Sequence, residues 1–101
     1  KDRCGPCNFE KDDCGWEDVS WSFYSWSRVQ ASNAITNLSK APGFDHTLNH
    51  PTGWYMYVAG DMGDFYELAE LRSPSLPASS SECQVIFYYW LVGNSTGTLE
   101  L

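Results

Sequence analysis

Four cysteines carry the first chemistry in this 101-residue chain: Cys4, Cys7, Cys14 and Cys83. Cys4-Gly5-Pro6-Cys7 has the spacing of a redox dithiol. That chemistry needs its first thiol at a helix N-terminus, where the dipole lowers the thiol pKa. Only three polar residues precede Cys4, and Asn8-Phe9-Glu10 leads into a Gly- and Asp-rich turn, so the context opposes it. A zinc site from Cys4, Cys7, Cys14 and either His46 or His50 fits no better. The step from Cys7 to Cys14 is wider than a metal knuckle, and no second Cys-x-x-Cys follows. A disulfide framework remains; four cysteines allow three pairings, and spacing does not choose among them. Asp45, His46 and the many serines raise the question of a hydrolytic triad. The Gly-x-Ser-x-Gly elbow that would present the nucleophile is missing. No catalytic residue is assigned, the chain is read as not an enzyme, and His46 is read as a loop histidine bonded to a neighbouring turn.

The composition bounds what else the chain can do. Thirteen Asp and Glu against six Lys and Arg give a net charge of −7. A nucleic-acid binder must neutralise phosphates, so this balance opposes that class, and it opposes an anionic membrane surface too. Aromatic residues make up 16% of the chain, enough apolar area for a core even at single-domain length. The longest apolar run, Val85 to Val92, is far short of the roughly 20 residues that cross a bilayer. The opening Lys1-Asp2-Arg3 has no secretory leader, which suggests an excised or mature piece. Asn37-Leu38-Ser39 and Asn94-Ser95-Thr96 are glycosylation sequons; with the cysteines they favour an oxidising, extracellular setting, secreted or on the cell surface.

Gly, Pro, Asn, Asp and Ser recur at short intervals, the pattern of a turn-rich all-β chain. Phe9 begins a short extended segment before the turn at Lys11-Asp12-Asp13. Val19, Trp21 and Phe23 alternate with polar residues at strand period; the alternation then slips to Tyr24, Trp26 and Arg28, so a break near Phe23–Tyr24 is expected. Ala41 to Pro51 reads as a long loop, and Gly53 to Ala59 as a strand rich in aromatic and β-branched residues. Residues 65–72 fit a helix or a strand, and periodicity does not decide. Cys83 to Val92 is apolar on both faces, as a central sandwich strand would be. Thr98 to Leu101 restarts a strand.

Six short motifs stand in order along the chain: Cys7-Asn8-Phe9-Glu10; Cys14-Gly15-Trp16; Trp26-Ser27-Arg28; Asp45-His46-Thr47 followed by Gly53-Trp54-Tyr55-Met56-Tyr57-Val58; Leu71-x-Ser73-Pro74; and Cys83 followed by Phe87-Tyr88-Tyr89-Trp90 and Gly97-x-Leu99. Together they resemble the MAM domain, the extracellular module named after meprin, the A5 protein (neuropilin) and a receptor tyrosine phosphatase. The resemblance covers residues 7–101 and implies an antiparallel two-sheet β-sandwich, jelly-roll-like, lacking its C-terminal third. Residues 1–6 would be a linker or the end of a preceding module; Lys1-Asp2-Arg3-Cys4 is similar to the tail of an LDL-receptor class A repeat.

The same resemblance implies a Cys7–Cys14 disulfide, a partner for Cys83 outside the chain, and a Cys4 that lies outside the family pattern and also pairs elsewhere. It favours the strand reading of residues 65–72, and it places Trp16, Trp26, Trp54 and Trp90 in the core. It implies that Glu10 and Asp45 converge as ligands for Ca²⁺ or Na⁺; the alternative is that they cap turns or pair with Arg28. Trp21, Phe23 and Tyr24 are additional to the motif positions and are candidate contact residues. The implied role is recognition: a protein partner or homo-oligomer, in adhesion or oligomerisation, within a larger mosaic protein. The alternatives are a carbohydrate-binding sandwich with exposed aromatics, so that a glycan is the ligand, or an accessory domain of a host protease or receptor enzyme.

Overall fold

The computed structural model describes residues 6–37, 41–58, 68–75, 84–91 and 98–101. Its strands are β1 (Glu17–Asp18), β2 (Ser27–Gln30), β3 (Trp54–Tyr57) and β4 (Leu71–Arg72), with one short helix, α1 (Ala31–Asn37), between β2 and β3. They form two antiparallel sheets, β1–β4 and β2–β3. The all-β, two-sheet antiparallel class expected of the sequence is the class observed.

Strand β3 lies where the Gly53–Ala59 pattern places it. Its partner β2 sits one break further along the chain than the Val19-Trp21-Phe23 alternation suggests. In the observed register Arg28 faces Met56, Val29 faces Tyr55 and Gln30 faces Trp54. Residues 21–24 are bends, and β1 is confined to Glu17–Asp18. The cause is Asp18: its carboxylate accepts Ser20 Oγ at 2.6 Å and the Trp26 amide at 3.2 Å, which folds the chain back on itself. The expected break is present, and the expected strand before it is not.

Three further segments differ from the sequence reading. Phe9 is not extended; its φ of 61° is left-handed. Leu71–Arg72 is strand, as the family pattern implies, but Leu68–Glu70 is irregular and residues 65–67 lie outside the described set. Residues 84–91 and 98–101 are not strand, and their side chains are exposed. Apolar composition suits a central strand only if ladders form on both sides, and among the described residues neither neighbour is present. Side contacts hold 84–91 instead: Trp90 meets Phe44 edge-on at 6.1 Å and Tyr88 stacks on His46 at 3.4 Å. Trp90 is therefore half exposed, whereas Trp16, Trp26 and Trp54 are partly buried.

Helix α1 had no counterpart in the sequence reading. Ser, Asn and Thr are weak helix formers, and seven residues are too few to stand alone. Its first amides are satisfied from outside: Ala31 N–H donates to Gly53 O and Ser32 N–H to Pro51 O, both at 2.8 Å. In return Ala31 and Ala34, one turn apart, are the buried apolar side chains of the described residues. This clamp fixes the loop before β3 and, with it, the place of Asp45.

Candidate functional site

The first loop is shaped by covalent and backbone constraints. Cys7 and Cys14 are disulfide-bonded, as the family pattern implies, with Cα atoms 6.0 Å apart. Cys14 and Gly15 both take positive φ, 57° and 83°, which turns the chain sharply after the bridge. Within the loop, Asn8 Oδ1 accepts the Glu10 amide, Asp12 Oδ1 the Cys14 amide, and Asp13 Oδ1 the Gly15 amide. These short polar side chains replace the backbone partners the turn lacks.

Left-handed geometry is unfavourable for phenylalanine, and it persists because its consequences are satisfied. It aims two successive carbonyls at one guanidinium: Arg28 Nε donates to Phe9 O and Nη2 to Glu10 O, each at 2.7 Å. The Arg28 Cζ also lies 4.0 Å from the centre of the Trp54 ring. Arg28 faces Met56 across the β2–β3 ladder, so Trp54, two residues earlier, is its diagonal neighbour on the same face. Phe9 packs edge-on against Trp16 at 6.5 Å. One arginine thus ties the disulfide loop to the larger described sheet.

Glu10 and Asp45 meet at this junction. Glu10 Oε2 accepts the Trp54 amide at 3.2 Å, which seats the carboxyl at the start of β3. Asp45 is 3% exposed; its Oδ1 accepts the Leu48 amide at 3.0 Å, and its own carbonyl accepts the Asn49 amide. Its Oδ2 is buried and, among the described residues, has no N–H or hydroxyl partner. The carboxyl of Glu10 also lies within hydrogen-bonding reach of the Asp45 carboxyl. Burial, and then Asp45 beside it, push the Glu10 pKa above its ordinary value; the Trp54 amide and Arg28 pull only partly the other way. For Asp45 burial pushes upward, but hydrogen bonds from Glu10 and from the Leu48 and His50 backbone outweigh it and hold the pKa down. Two ionised carboxylates in contact repel each other, and a shared proton or a nearby cation relieves that repulsion. Of the two alternatives for these residues, Asp45 does cap a turn, while the donors of Arg28 go to carbonyl oxygens.

The pair fits a cation in its chemistry: two hard carboxylates, one with a buried and unfilled oxygen. Among the described residues no cluster of three or more His, Cys, Asp or Glu forms, so main-chain oxygens would have to complete the shell. Of the histidines, His46 is against Tyr88, and His50 Nδ1 lies 3.0 Å from Thr52 Oγ1.

Gly53, which the sequence marks only as the start of a strand, is a further residue of this site. A Cβ there would overlap the Asp45 carboxyl group, so the buried aspartate lies directly on the glycine backbone. The available signal was an isolated glycine at the entrance of an aromatic strand, which marks a close approach.

The contact candidates separate. Trp21 is 95% exposed and Phe23 100%, whereas Tyr24 is half-buried. Asn37 ends α1. Cys4, Cys83 and Asn94 lie outside the described residues.

The chain matches the family described as MAM domain, meprin/A5/mu, over residues 7–101. It is similar to Thyroid hormone-induced protein B of Xenopus laevis, 34% identical over 97 residues, covering 96% of this chain and 14% of that protein. It is 29% identical to MAM domain-containing protein 2 of Homo sapiens over 97 residues, with the same coverage. Neuropilin-1a of Danio rerio is 33% identical over 88 residues, 87% of this chain and 9% of that protein. The chain thus spans 14% or less of each of these relatives. No solved structure matches it. With the family's motifs in order and the Cys7–Cys14 bridge formed, this chain belongs to the MAM domain family.

Proposed function

We propose that the chain is a non-catalytic extracellular recognition module that makes protein–protein contacts, in adhesion or oligomerisation, within a larger secreted or cell-surface protein. The family match over residues 7–101 carries this reading. The disulfide supports the oxidising compartment, and the exposed Trp21 and Phe23 supply contact groups. In the same reading Asn37 and Asn94 carry N-glycans, residues 1–6 are a linker or the tail of a preceding module, and Cys4 and Cys83 pair outside the 101 residues.

A bound cation, Ca²⁺ or Na⁺, belongs to the proposal as a structural element held by Glu10 and Asp45. The buried, unfilled Asp45 Oδ2 supports it. When bound, the ion supplies charge neutralisation between the two carboxylates. The chain's own part is to hold those carboxylates together: Glu10 through the Trp54 amide, Asp45 through the Leu48 amide and the floor at Gly53.

The test is an aggregation assay with beads coated by the full-length protein and by a version lacking these residues, beside binding to purified ectodomains. Aggregation or ectodomain binding lost with residues 7–101 is the expected result. Equal behaviour of both proteins overturns the recognition role.

A further inference from the structure

Resting on the recognition role just proposed, we infer that the loop over residues 19–24 is its contact point, and that the occupant is a different protein presenting an apolar socket rimmed by Lys and Arg. Trp21 and Phe23 stand at the tip, 95% and 100% exposed. Aromatic residues are enriched at interfaces, and Trp is among the residues that dominate interface energetics.

The loop is built to hold them there. At its base Ser20 Oγ donates to Asp18 Oδ1 at 2.6 Å and accepts the Glu70 amide at 2.8 Å. Val19 N–H donates to Glu70 O, and Trp26 N–H to Asp18 Oδ1. On the far side the Trp26 indole donates to Ala69 O at 3.0 Å. Within the turn Ser22 Oγ accepts the Tyr24 amide, and Ser25 Oγ donates to Phe23 O. A loop tied at both ends loses little freedom on docking, which favours a contact role.

Charge selects the occupant. Glu17 is already paired with Arg72 at 2.9 Å, which leaves the exposed Asp18 carboxylate at the base of the tip, beside the main chain of the exposed residue Glu70. The Ser20 hydroxyl holds the Asp18 pKa down, so its charge persists. A second copy of the chain brings another net charge of −7, and anionic lipid or nucleic acid is repelled likewise. A basic rim around an apolar socket complements both the aromatics and the acidic residues.

The experiment uses the full-length protein against an array of purified, identified extracellular ectodomains. Three forms are compared: the parent, Trp21→Ser/Phe23→Ser, and Glu70→Lys. The Glu70 side chain is exposed and its loop contacts are main-chain, so both variants keep the fold; unchanged melting and an intact Cys7–Cys14 bridge check this. An ectodomain bound by the parent is expected to lose at least about tenfold in affinity to the double variant. Its association is expected to slow with Glu70→Lys and with added salt. An ectodomain bound equally well by the double variant overturns the contact point and leaves the recognition role intact. No bound ectodomain at all overturns both. Binding insensitive to salt and to Glu70→Lys overturns the basic rim. Binding to a glycan array or to phosphatidylcholine vesicles, lost on Trp21→Ser/Phe23→Ser, in place of any ectodomain, assigns the tip to another ligand class and overturns the proposal.

Discussion

The carboxyl group of Asp45 fills the space that a Cβ on Gly53 would need. That single approach joins the long loop to the start of β3, because Gly53 also donates its amide to His50 O and gives its carbonyl to the Ala31 amide. Gly53→Ala must push the aspartate off its seat or shift the strand. A loss of about 1–3 kcal/mol is expected, the usual range for overpacking a filled site. Thermal melting of the variant checks this; an unchanged midpoint would show that the loop relaxes without cost.

Breaking the Cys7–Cys14 bridge tests the other anchor. The loop it closes is short, and the chain-entropy model gives about 2–3 kcal/mol for such a loop. Cys7→Ser/Cys14→Ser is expected to lose that much in urea unfolding. It should also free Glu10 from the Trp54 amide, because the bridge holds the Glu10 loop in place. Amide exchange at Trp54 reads this second effect: protection that survives in the double variant would mean that Arg28 alone positions the loop.

Arg28 is expected to resist even conservative exchange. Two parallel bonds to Phe9 O and Glu10 O need a planar fork, and the guanidinium lies against the Trp54 ring. Lysine keeps the charge but cannot reach both carbonyls with the same geometry. Arg28→Lys should cost about 1.5–3 kcal/mol, the range for hydrogen bonds to a charged group. It should also release Phe9 from its left-handed backbone, visible as a changed Hα shift at that residue. A lysine variant with parental stability would reduce the role of Arg28 to charge alone.

Sequence patterns located β3 because Gly53-Trp54-Tyr55-Met56-Tyr57 carries both strand propensity and an entry glycine. They misplaced the strand before it, since Trp21 and Phe23 look like core residues at strand period yet stand in solvent. Periodicity reports which side chains alternate, and an exposed loop can alternate as well as a strand does. Helix α1 escaped because its cohesion is tertiary: Gly53 O and Pro51 O cap it from about twenty residues away, a link that no local pattern carries. The meeting of Glu10 and Asp45 was visible only through the family resemblance. Thirty-five positions separate them, and what unites them is a left-handed Phe9 and a bare Gly53, neither of which announces its partner.

The carboxyl pair makes a pH prediction whose sign follows from the two directions. Glu10 titrates above its ordinary 4.5 in the folded chain, so the folded state keeps a proton that the unfolded chain has released. Its contribution is complete below about pH 4.5 and is lost as pH rises through the folded pKa. Asp45 titrates below 3.8, so its contribution is present above that value and is lost as pH falls through the folded pKa. Both contributions are therefore in place together between the two ordinary values, from about pH 3.8 to 4.5. Glu10→Gln imitates the protonated carboxyl at every pH. In metal-free buffer at neutral pH it is expected to melt above the parent and to lack the parent's decline on the alkaline side. A cation takes the place of the missing proton, so Ca²⁺ should raise the parent's melting temperature at neutral pH and leave Glu10→Gln nearly unchanged. A variant that melts below the parent in metal-free buffer would show that the Glu10 charge is already compensated by Arg28. A parent insensitive to both Ca²⁺ and Na⁺ would leave the pair as a proton-sharing contact and nothing more.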